Sequence, residues 1–319
     1  MKVAIFGGAF DPPHLGHINL VKSACDSIKP DKLLIIPTGN APHKKTMTDF
    51  ETRFKLSQAA FINCNDCEIC DIENTPDTSY TVDTLRKLHE IYPNSELHLI
   101  VGADASKSIN AWKEPDQIRK LCTIVTGKRD DKSSSQIRAL LSAKRYTHSI
   151  NVAIMCGELS KAHRLSLELS EKSYIAGIFH DIMKECSPDK ARLMVRTSGL
   201  YPDYVELHEP KLWHGIAGGK YLQEEQGITD KDIINAVRFH TVGRAGMSPV
   251  EKVVKVADWV SYERDYDGVE EMRALAFESL DAAVLATIKS GIKKTIKKGG
   301  KIPAYAINAY NYYIKENVT

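Results

Sequence analysis

The sequence contains no apolar run that approaches the roughly 20 residues needed to span a membrane. At its start, one lysine and the short apolar stretch Val3–Phe6 precede a glycine pair, which is not the pattern of a secretory signal. Charge of one sign is not in excess either, because the net charge is +2, so nothing draws the chain generally to nucleic acid. We therefore expect a cytoplasmic protein with no membrane and no nucleic-acid partner, and the sequence allows a homo-oligomer.

The pattern of cysteines typical of a secreted protein is absent as well. The seven cysteines are odd in number and unevenly spread, which excludes the dense disulfide framework of a small secreted protein. Three of them, Cys64, Cys67 and Cys70, lie close together, and this spacing allows either a metal or iron–sulfur site or three free thiols. Because no clear fourth ligand lies nearby in the sequence, free thiols are favoured.

The chain is long enough for two domains, each with a core of its own. It has 319 residues, of which 43% are hydrophobic and 26% charged, as in ordinary globular proteins. Strands alternate with helices in the first part, and helical spacing alone follows from about Leu141. We predict an α/β domain over residues 1–140 and an all-α domain over residues 141–319. No glycine- or proline-rich linker separates them, so a helix from Ser135 is predicted to continue into the second domain.

Continuous apolar runs in the first part are typical of strands buried on both faces of a parallel sheet. The predicted strands are Val3–Phe6, Lys32–Pro37, Cys70–Glu73, Glu96–Val101 and Leu121–Thr126. The predicted helices are Leu15–Ile28, Phe50–Phe61 with Arg53 on its polar side, and Thr81–Ile91. Ligands of such sheets bind at the carboxyl ends of the strands.

The first strand ends in the most informative stretch of the chain. Gly7 and Gly8 permit a sharp turn and a close approach of the backbone to a ligand. The following helix directs backbone N–H groups toward the same place, which makes an anion site. His14 and His17 are three positions apart and therefore share one side of the first helical turn at its rim.

The string Gly8-Ala-Phe-Asp-Pro-Pro-His-Leu-Gly-His17 resembles the signature of the HxGH nucleotidyltransferases, and of the nicotinate-nucleotide adenylyltransferases in particular. The resemblance continues, in order, through Pro42–Lys44, Ser79–Leu85, Gly102–Asp104, Ala111–Lys113 and Ser133–Arg138. It implies a Rossmann-like α/β fold and adenylyl transfer from ATP, with Mg²⁺, to nicotinate mononucleotide in NAD biosynthesis. Such transfer is an in-line attack that needs no enzyme nucleophile, so catalysis consists of positioning and charge stabilisation.

The resemblance also implies roles for individual residues. The implied catalytic residues of this domain are His14, His17, Lys44 and Arg138. The implied nucleotide-binding residues are Gly7, Gly8, Ala9, Phe10, Thr81, Gly102, Asp104, Trp112, Ser133 and Ser134. One departure stands out, because only a short stretch near residues 127–132 separates the last strand from Ser133, where the family usually has a longer one. The alternative is therefore a shortened domain that senses a nucleotide without turning it over and regulates the second domain.

The second part of the chain carries histidine and aspartate among apolar helical residues, where they are costly to bury without partners. The candidate metal ligands are His148, His180, Asp181, His214, His240 and Asp258, with His208 as a rival to His214. Adjacent histidine and aspartate suit a site that two ions share. Mixed imidazole and carboxylate ligands suit iron, manganese or zinc and do not choose among them.

This ordered set resembles the HD superfamily of metal phosphohydrolases. The segments His180–Glu185, Arg238–Met247, Glu251–Asp258 and Lys301–Tyr310 resemble the symmetrical diadenosine-tetraphosphatases of HD type. The resemblance implies two metal ions, expected to be iron, and hydrolysis of diadenosine tetraphosphate to two ADP. It implies a catalytic role for Asp181 and substrate contacts for Lys184, Thr241 and Arg244. The alternative for this domain is another nucleotide phosphate as substrate.

Overall fold

In a computed structural model, residues 1–41, 46–127 and 134–316 are described. The chain forms two compact units, Met1–Ser134 and Ser135–Thr319, and each is considered by itself. Among the described residues, none of the helices combines the length and the apolar character that crossing a bilayer requires.

Within the described part of the first unit, five parallel strands form one sheet in the order β3-β2-β1-β4-β5. The strands are β1 (Lys2–Gly8), β2 (Lys32–Pro37), β3 (Cys67–Ile69), β4 (Glu96–Gly102) and β5 (Thr123–Gly127). The central strand β1 is apolar and fully buried from Val3 to Phe6. After β3 the chain returns to the other side of β1, so the order of strands reverses between β1 and β4. Ligands of open parallel sheets bind at such a reversal, beside the carboxyl ends of the strands.

Helices connect the strands, and the predicted α/β fold is confirmed. They are α1 (Leu15–Ile28), α2 (Phe50–Ala60), α3 (Thr81–Ile91), α4 (Ala103–Ser108) and α5 (Pro115–Leu121). The side chain of Asp49 caps α2 by accepting the backbone N–H of Thr52 over 2.7 Å, which satisfies one donor of the first turn.

Two local predictions are wrong. The edge strand is Cys67–Ile69 rather than Cys70–Glu73, because Leu33–Ile35 pairs with those earlier residues and the chain turns after Cys70. The helix from Ser135 does not continue into the second domain. It ends at Ala139, and the hydroxyl of Ser142 accepts the N–H of Arg145 and caps a new helix.

The described residues of the second unit form helices joined by loops and turns, with no strand among them, as predicted. Its helices are α6 (Ser134–Ala139, which begins one residue before the unit), α7 (Ala143–Ala162), α8 (Leu167–Phe179), α9 (Pro188–Arg196), α10 (Tyr204–His208), α11 (Trp213–Glu224), α12 (Lys231–Phe239), α13 (Pro249–Val260), α14 (Val269–Glu278), α15 (Leu280–Lys297) and α16 (Ala304–Glu316). Helix α8 packs against α7, α12 and α13 in the core of the unit. A Cβ atom on Gly177 of α8 would lie 3.0 Å from Cα of Ala153, so glycine permits the close crossing of α7 and α8.

Candidate functional sites

The loop after β1 holds the two predicted histidines together. His14 is the buried N-cap residue of α1, and His17 lies in the first turn of that helix. Their ring centroids are 3.7 Å apart, and the backbone N–H of His14 donates to Nδ1 of His17 over 3.3 Å. Phe10 packs edge-on against the His17 ring, and a Cβ atom on Gly8 would lie 2.8 Å from the Phe10 ring. The imidazoles thus form a pair at the positive end of a helix, which suits a phosphate group.

Arg53 joins the chain segments that leave β1 and β2. Its side chain is buried, and Nη1 donates to the carbonyl oxygens of Ala9 over 2.9 Å and of Thr38 over 2.7 Å. The N–H of Thr38 in turn donates to the carbonyl oxygen of Gly8 over 2.8 Å. The predicted location of Arg53 on a polar helix face is therefore wrong, because the guanidinium satisfies two carbonyl groups inside the unit.

A cavity of about 250 Å³ opens at the carboxyl ends of β1 and β4. Four of the predicted nucleotide-binding residues line it, namely Gly7, Thr81, Gly102 and Trp112. They come from four separate parts of the sequence, and the reversal of strand order brings them to one place.

The cavity also contains Glu73, which the sequence analysis did not name, and Ser79 and Thr84 from the segment Ser79–Leu85, which it named only as a whole. The carboxylate of Glu73 accepts the hydroxyl of Thr84 over 2.7 Å and the backbone N–H of Gly39 over 3.3 Å. The hydroxyl oxygen of Ser79 is buried and has no hydrogen-bond partner among the described residues. A buried hydroxyl is costly unless a ligand or water satisfies it, so a polar ligand group or a water molecule would find a partner in Ser79.

In the second unit, six predicted residues converge. They form two groups of three, His148 with His180 and Asp258, and Asp181 with His214 and His240, in which all ligand atoms lie within 4.8 Å of one another. Helices α7 and α13 supply His148 and Asp258, and α11 supplies His214. The other three residues directly follow the ends of α8 and α12. The rival His208 is exposed and uses its ring to contact the carbonyl oxygen of Tyr204.

Asp181 lies between the two groups. Its Oδ2 is 3.8 Å from Nε2 of His180 and 4.0 Å from Nε2 of His148. Its Oδ1 is 3.4 Å from Nε2 of His214 and 3.6 Å from Nε2 of His240. One carboxylate therefore offers an oxygen to each side, which is the geometry of a bridge between two metal ions.

All four histidines direct Nε2 into the centre and use Nδ1 as a donor elsewhere. Nδ1 of His180, His214 and His240 contacts the carbonyl oxygen three residues earlier, at 2.8, 2.9 and 2.8 Å respectively. Nδ1 of His148 contacts Oε1 of Glu263 instead. Because carbonyl and carboxylate oxygens only accept, each Nδ1 carries the proton and each Nε2 can serve as a metal ligand.

The charge state of the centre also fits metal ions. Burial would raise the pKa of Asp181 and of Asp258, but the surrounding imidazoles outweigh it and hold both values below the ordinary range. Burial lowers the pKa of His180 to about 4 and holds that of His214 well below its ordinary value, so both rings are neutral. At His148, burial is outweighed by hydrogen bonds to Asp258 and Glu263, which raise the pKa to about 9, so a metal ion would have to displace a proton from that ring. Oδ1 of Asp181 is buried and has no hydrogen-bond partner among the described residues. Anionic carboxylates, neutral imidazoles and an unsatisfied buried oxygen are what a metal centre requires.

Cations and a second cavity adjoin this centre. Nζ of Lys184 lies 2.9 Å from Nε2 of His214, and Nη1 of Arg145 lies 2.9 Å from Oδ2 of Asp181. A cavity of about 350 Å³ reaches from Thr241 and Asp258 to the aromatic pair Trp259 and Tyr266 and to Arg264 and Lys294. One candidate metal ligand, two cations and two aromatic rings thus line one cavity, which suits a phosphate attached to a ring system.

Comparison with known families finds two family models that match this chain. The profile of the cytidylyltransferase-like family matches residues 5–172, and that of the HD domain matches residues 145–263. The chain belongs to the cytidylyltransferase-like family and carries an HD domain.

Individual relatives agree with this assignment. A Mycoplasma genitalium protein described as a probable nicotinate-nucleotide adenylyltransferase/Ap4A hydrolase is 24% identical over 90% of this chain and 97% of its own length. A symmetrical bis(5'-nucleosyl)-tetraphosphatase of Bacillus subtilis is 34% identical over 56% of this chain and 94% of its own length. A crystal structure from Clostridium acetobutylicum, described as a predicted HD superfamily hydrolase involved in NAD metabolism, covers 58% of this chain and 98% of its own, with 33% identity and a TM-score of 0.54.

In the cytidylyltransferase-like domain, the remaining predicted residues have different positions. The hydroxyl of Ser134 donates to the carbonyl oxygen of Pro12, in the loop that carries His14. Asp104 is exposed in the first turn of α4, outside the residues that line the cavity. Arg138 lies on α6 in the second unit, and its role stays a prediction. Lys44 and Ser133, like the short stretch at 128–132, lie outside the described residues.

In the HD domain, Thr241 contacts the centre, since its hydroxyl lies 3.1 Å from Nε2 of His214. Arg244 differs from the expectation, because Nε and Nη2 donate to both carboxylate oxygens of Glu251 at 2.7 and 2.6 Å. Its guanidinium is thus already bound, and Arg244 does not line the cavity beside the centre. Arg264 lines that cavity, with Nε donating to the carbonyl oxygen of Asp258 over 2.7 Å and Nη2 contacting Oδ1 of the same residue. The sequence analysis missed Arg264, which lies in the turn after α13 and reaches Asp258 only in the folded chain.

The three clustered cysteines are free thiols in the structure. Burial raises the pKa of Cys67 to about 12, so its thiol is protonated and a poor metal ligand. Within the described ranges, the groups of three ligand atoms that could hold an ion are those of the HD domain.

Proposed function

We propose that this protein is a bifunctional enzyme. Its cytidylyltransferase-like domain transfers the adenylyl group of ATP to nicotinate mononucleotide, and its HD domain hydrolyses diadenosine tetraphosphate symmetrically to two ADP. The observation that carries the proposal is the presence, in one chain, of a histidine pair beside an α/β nucleotide cavity and of six potential metal ligands in two adjoining groups of three. The relatives named above support the pairing of the two activities.

In the first reaction, a phosphate oxygen of nicotinate mononucleotide attacks the α-phosphorus of ATP, and the bond to pyrophosphate breaks. His14 and His17 donate to the phosphate oxygens as charge develops, together with the N-terminal end of α1. The cavity lined by Thr81 and Trp112 holds the acceptor nucleotide, and the Ser79 hydroxyl donates to one of its polar groups. Arg53 keeps the loop in place through the Ala9 carbonyl. Mg²⁺ bound to ATP would supply neutralisation of its phosphate charge.

In the second reaction, water attacks one inner phosphorus of the four-phosphate chain, and the bond to the central bridging oxygen breaks, which yields two ADP. The six converging residues would hold two metal ions, expected to be iron, that activate water and neutralise phosphate charge. Lys184 and Arg264 bind phosphate oxygens, and the Thr241 hydroxyl directs substrate into the centre. Trp259 and Tyr266 offer aromatic faces for a nucleoside at the far end of the cavity.

Product analysis of the purified protein tests both assignments. With ATP, nicotinate mononucleotide and Mg²⁺, we expect one new dinucleotide and an equal amount of pyrophosphate. With diadenosine tetraphosphate and Mn²⁺ or Fe²⁺, we expect ADP alone. AMP and ATP in equal amounts contradict symmetrical cleavage. A working hydrolase without dinucleotide formation contradicts the first assignment and favours a domain that only senses a nucleotide.

A further inference from the structure

His148 differs from the other three histidines of the metal centre in its local backbone. His180 and His240 directly follow helices, and His214 lies in the first turn of α11, just after the 3-10 helix Pro210–Leu212. The carbonyl oxygen three residues before each of them belongs to a final helical turn, where carbonyl groups lack a partner within the helix. His148 lies in the interior of α7, where the carbonyls are engaged in helical hydrogen bonds. It therefore needs an acceptor from elsewhere in the chain to hold its Nδ1 proton.

Glu263 is that acceptor. Its Oε1 contacts Nδ1 of His148 and accepts the Ser261 hydroxyl over 2.7 Å. Its Oε2 accepts the side-chain amide of Asn151 over 2.7 Å. Three donors on two different segments thus fix one carboxylate. A carboxylate held in this way fixes in turn the orientation of the ring that it contacts.

The position of Glu263 in the chain ties it to a second ligand. It lies in the turn that follows α13, and α13 carries Asp258, whose Oδ1 is 3.0 Å from Nε2 of His148. The two nitrogens lie on opposite sides of the imidazole ring. Asp258 therefore faces the metal side of His148 and Glu263 faces the rear, so Glu263 acts through the histidine and is not itself a ligand.

We propose that Glu263 is a positioning residue that holds His148 in the Nδ1-protonated form and keeps its Nε2 directed at one of the two metal positions. This inference rests on the proposed metal centre. A change at Glu263 should weaken metal binding only at the position formed by His148 and His180. The rings of His214 and His240 are held by backbone carbonyls that a change at Glu263 leaves in place. The side chain of Glu263 is 31% exposed, so water can fill the space that its truncation leaves.

Binding of Mn²⁺ alone tests the proposal, by equilibrium dialysis combined with electron paramagnetic resonance. We expect wild-type protein to bind two Mn²⁺ ions with a spin-coupled spectrum. In Glu263→Ala, one of the two affinities falls by about 10–100-fold, the range typical for loss of a carboxylate behind a metal-bound histidine. At an Mn²⁺ concentration that fills only the unaffected position, the variant gives the spectrum of an isolated ion. That remaining ion also demonstrates that the variant is folded.

Two further variants sharpen the result. Glu263→Gln keeps a neutral acceptor for Nδ1, so its weaker affinity recovers toward that of the wild type. Glu158→Gln is the matched control. Glu158 lies on α7 and contacts Tyr262, the residue before Glu263, so this change leaves both Mn²⁺ affinities unchanged. Two unchanged affinities in Glu263→Ala overturn the role of Glu263 alone. Wild-type protein that binds no Mn²⁺ overturns the metal centre itself, so the two failures are distinguishable.

Discussion

Oδ1 of Asp181 lies 3.4 Å from Nε2 of His214, whereas Oδ2 of the same carboxylate faces His148 and His180. The two oxygens of one side chain therefore serve two different groups of ligands. A neutral amide in this position would offer one oxygen instead of two and would lack the negative charge. In the proposed metal centre, Asp181 is therefore the residue on which both metal positions depend.

Asp181→Asn removes one oxygen and the charge of the bridge. We expect the hydrolysis of diadenosine tetraphosphate to fall by more than about 100-fold, because even partners behind the ligands are worth 10–100-fold. Metal analysis of the purified variant should find fewer than two ions per chain. Asp189→Asn, which alters an exposed acid in the first turn of α9, is the matched control and should keep both activity and metal content. A variant at Asp181 with full metal content would disprove the bridge.

After removal of metal, the two activities should be restored by different ions. After exhaustive chelation, Mg²⁺ alone should restore adenylyl transfer, because it binds the phosphate oxygens of ATP. Hydrolysis should return with Fe²⁺ or Mn²⁺ and not with Mg²⁺, because four imidazoles favour transition metals over magnesium. Full hydrolysis with Mg²⁺ as the added ion would argue against the imidazole-rich centre.

The parts of the molecule that the sequence predicts well are local. The bounds of Leu15–Ile28 and Thr81–Ile91 match the structure, because apolar spacing and the turn residues at their ends are readable over one element. The candidate ligands of the HD domain were also readable, since an imidazole or carboxylate in an apolar helix needs a partner. His214 rather than its rival His208 joins the centre.

The contacts that the sequence does not predict join distant segments. Arg53 and Ala9 are 44 positions apart, and Glu263 and His148 are 115 positions apart. Periodicity assigns an arginine in an amphipathic helix to solvent, and only the folded chain reveals the carbonyl groups that it satisfies. Arg244 illustrates the converse, because a cation that was expected to meet phosphate is bound by Glu251.

Arg53→Met should destabilise the cytidylyltransferase-like domain. The change removes charge-assisted hydrogen bonds to Ala9 and Thr38 and leaves two carbonyls without that donor, so the free energy of unfolding should fall by about 2–4 kcal/mol. Urea unfolding at a constant m-value measures it. Arg86→Met, which breaks only exposed ion pairs with Asp83 and Glu114, should have no measurable effect. Equal behaviour of the two variants would contradict the role of Arg53.

Lys255 predicts a dependence of stability on pH. Its Nζ donates to the carbonyl oxygens of His240 and Thr241, and burial lowers its pKa from the ordinary 10.5 to about 8. Between these values the unfolded lysine keeps a proton that the folded one has lost, so the free energy of unfolding rises with pH across this window.

The comparison uses metal-free wild type and Lys255→Met, unfolded in urea at pH 7.5 and pH 10 and followed by tryptophan fluorescence. The difference in unfolding free energy between wild type and variant should shift in favour of the wild type by about 2 kcal/mol over this range. A difference that does not change with pH would mean that Lys255 keeps an ordinary pKa.

The central claim is that one chain carries two separate active sites, and assay of both reactions in two single variants tests it most directly. His17→Ala should lose dinucleotide formation and keep hydrolysis of diadenosine tetraphosphate, and Asp181→Asn should do the reverse. This reciprocal loss is the predicted result. Dinucleotide formation that persists in His17→Ala, or a variant that loses both reactions while folded, would contradict the account.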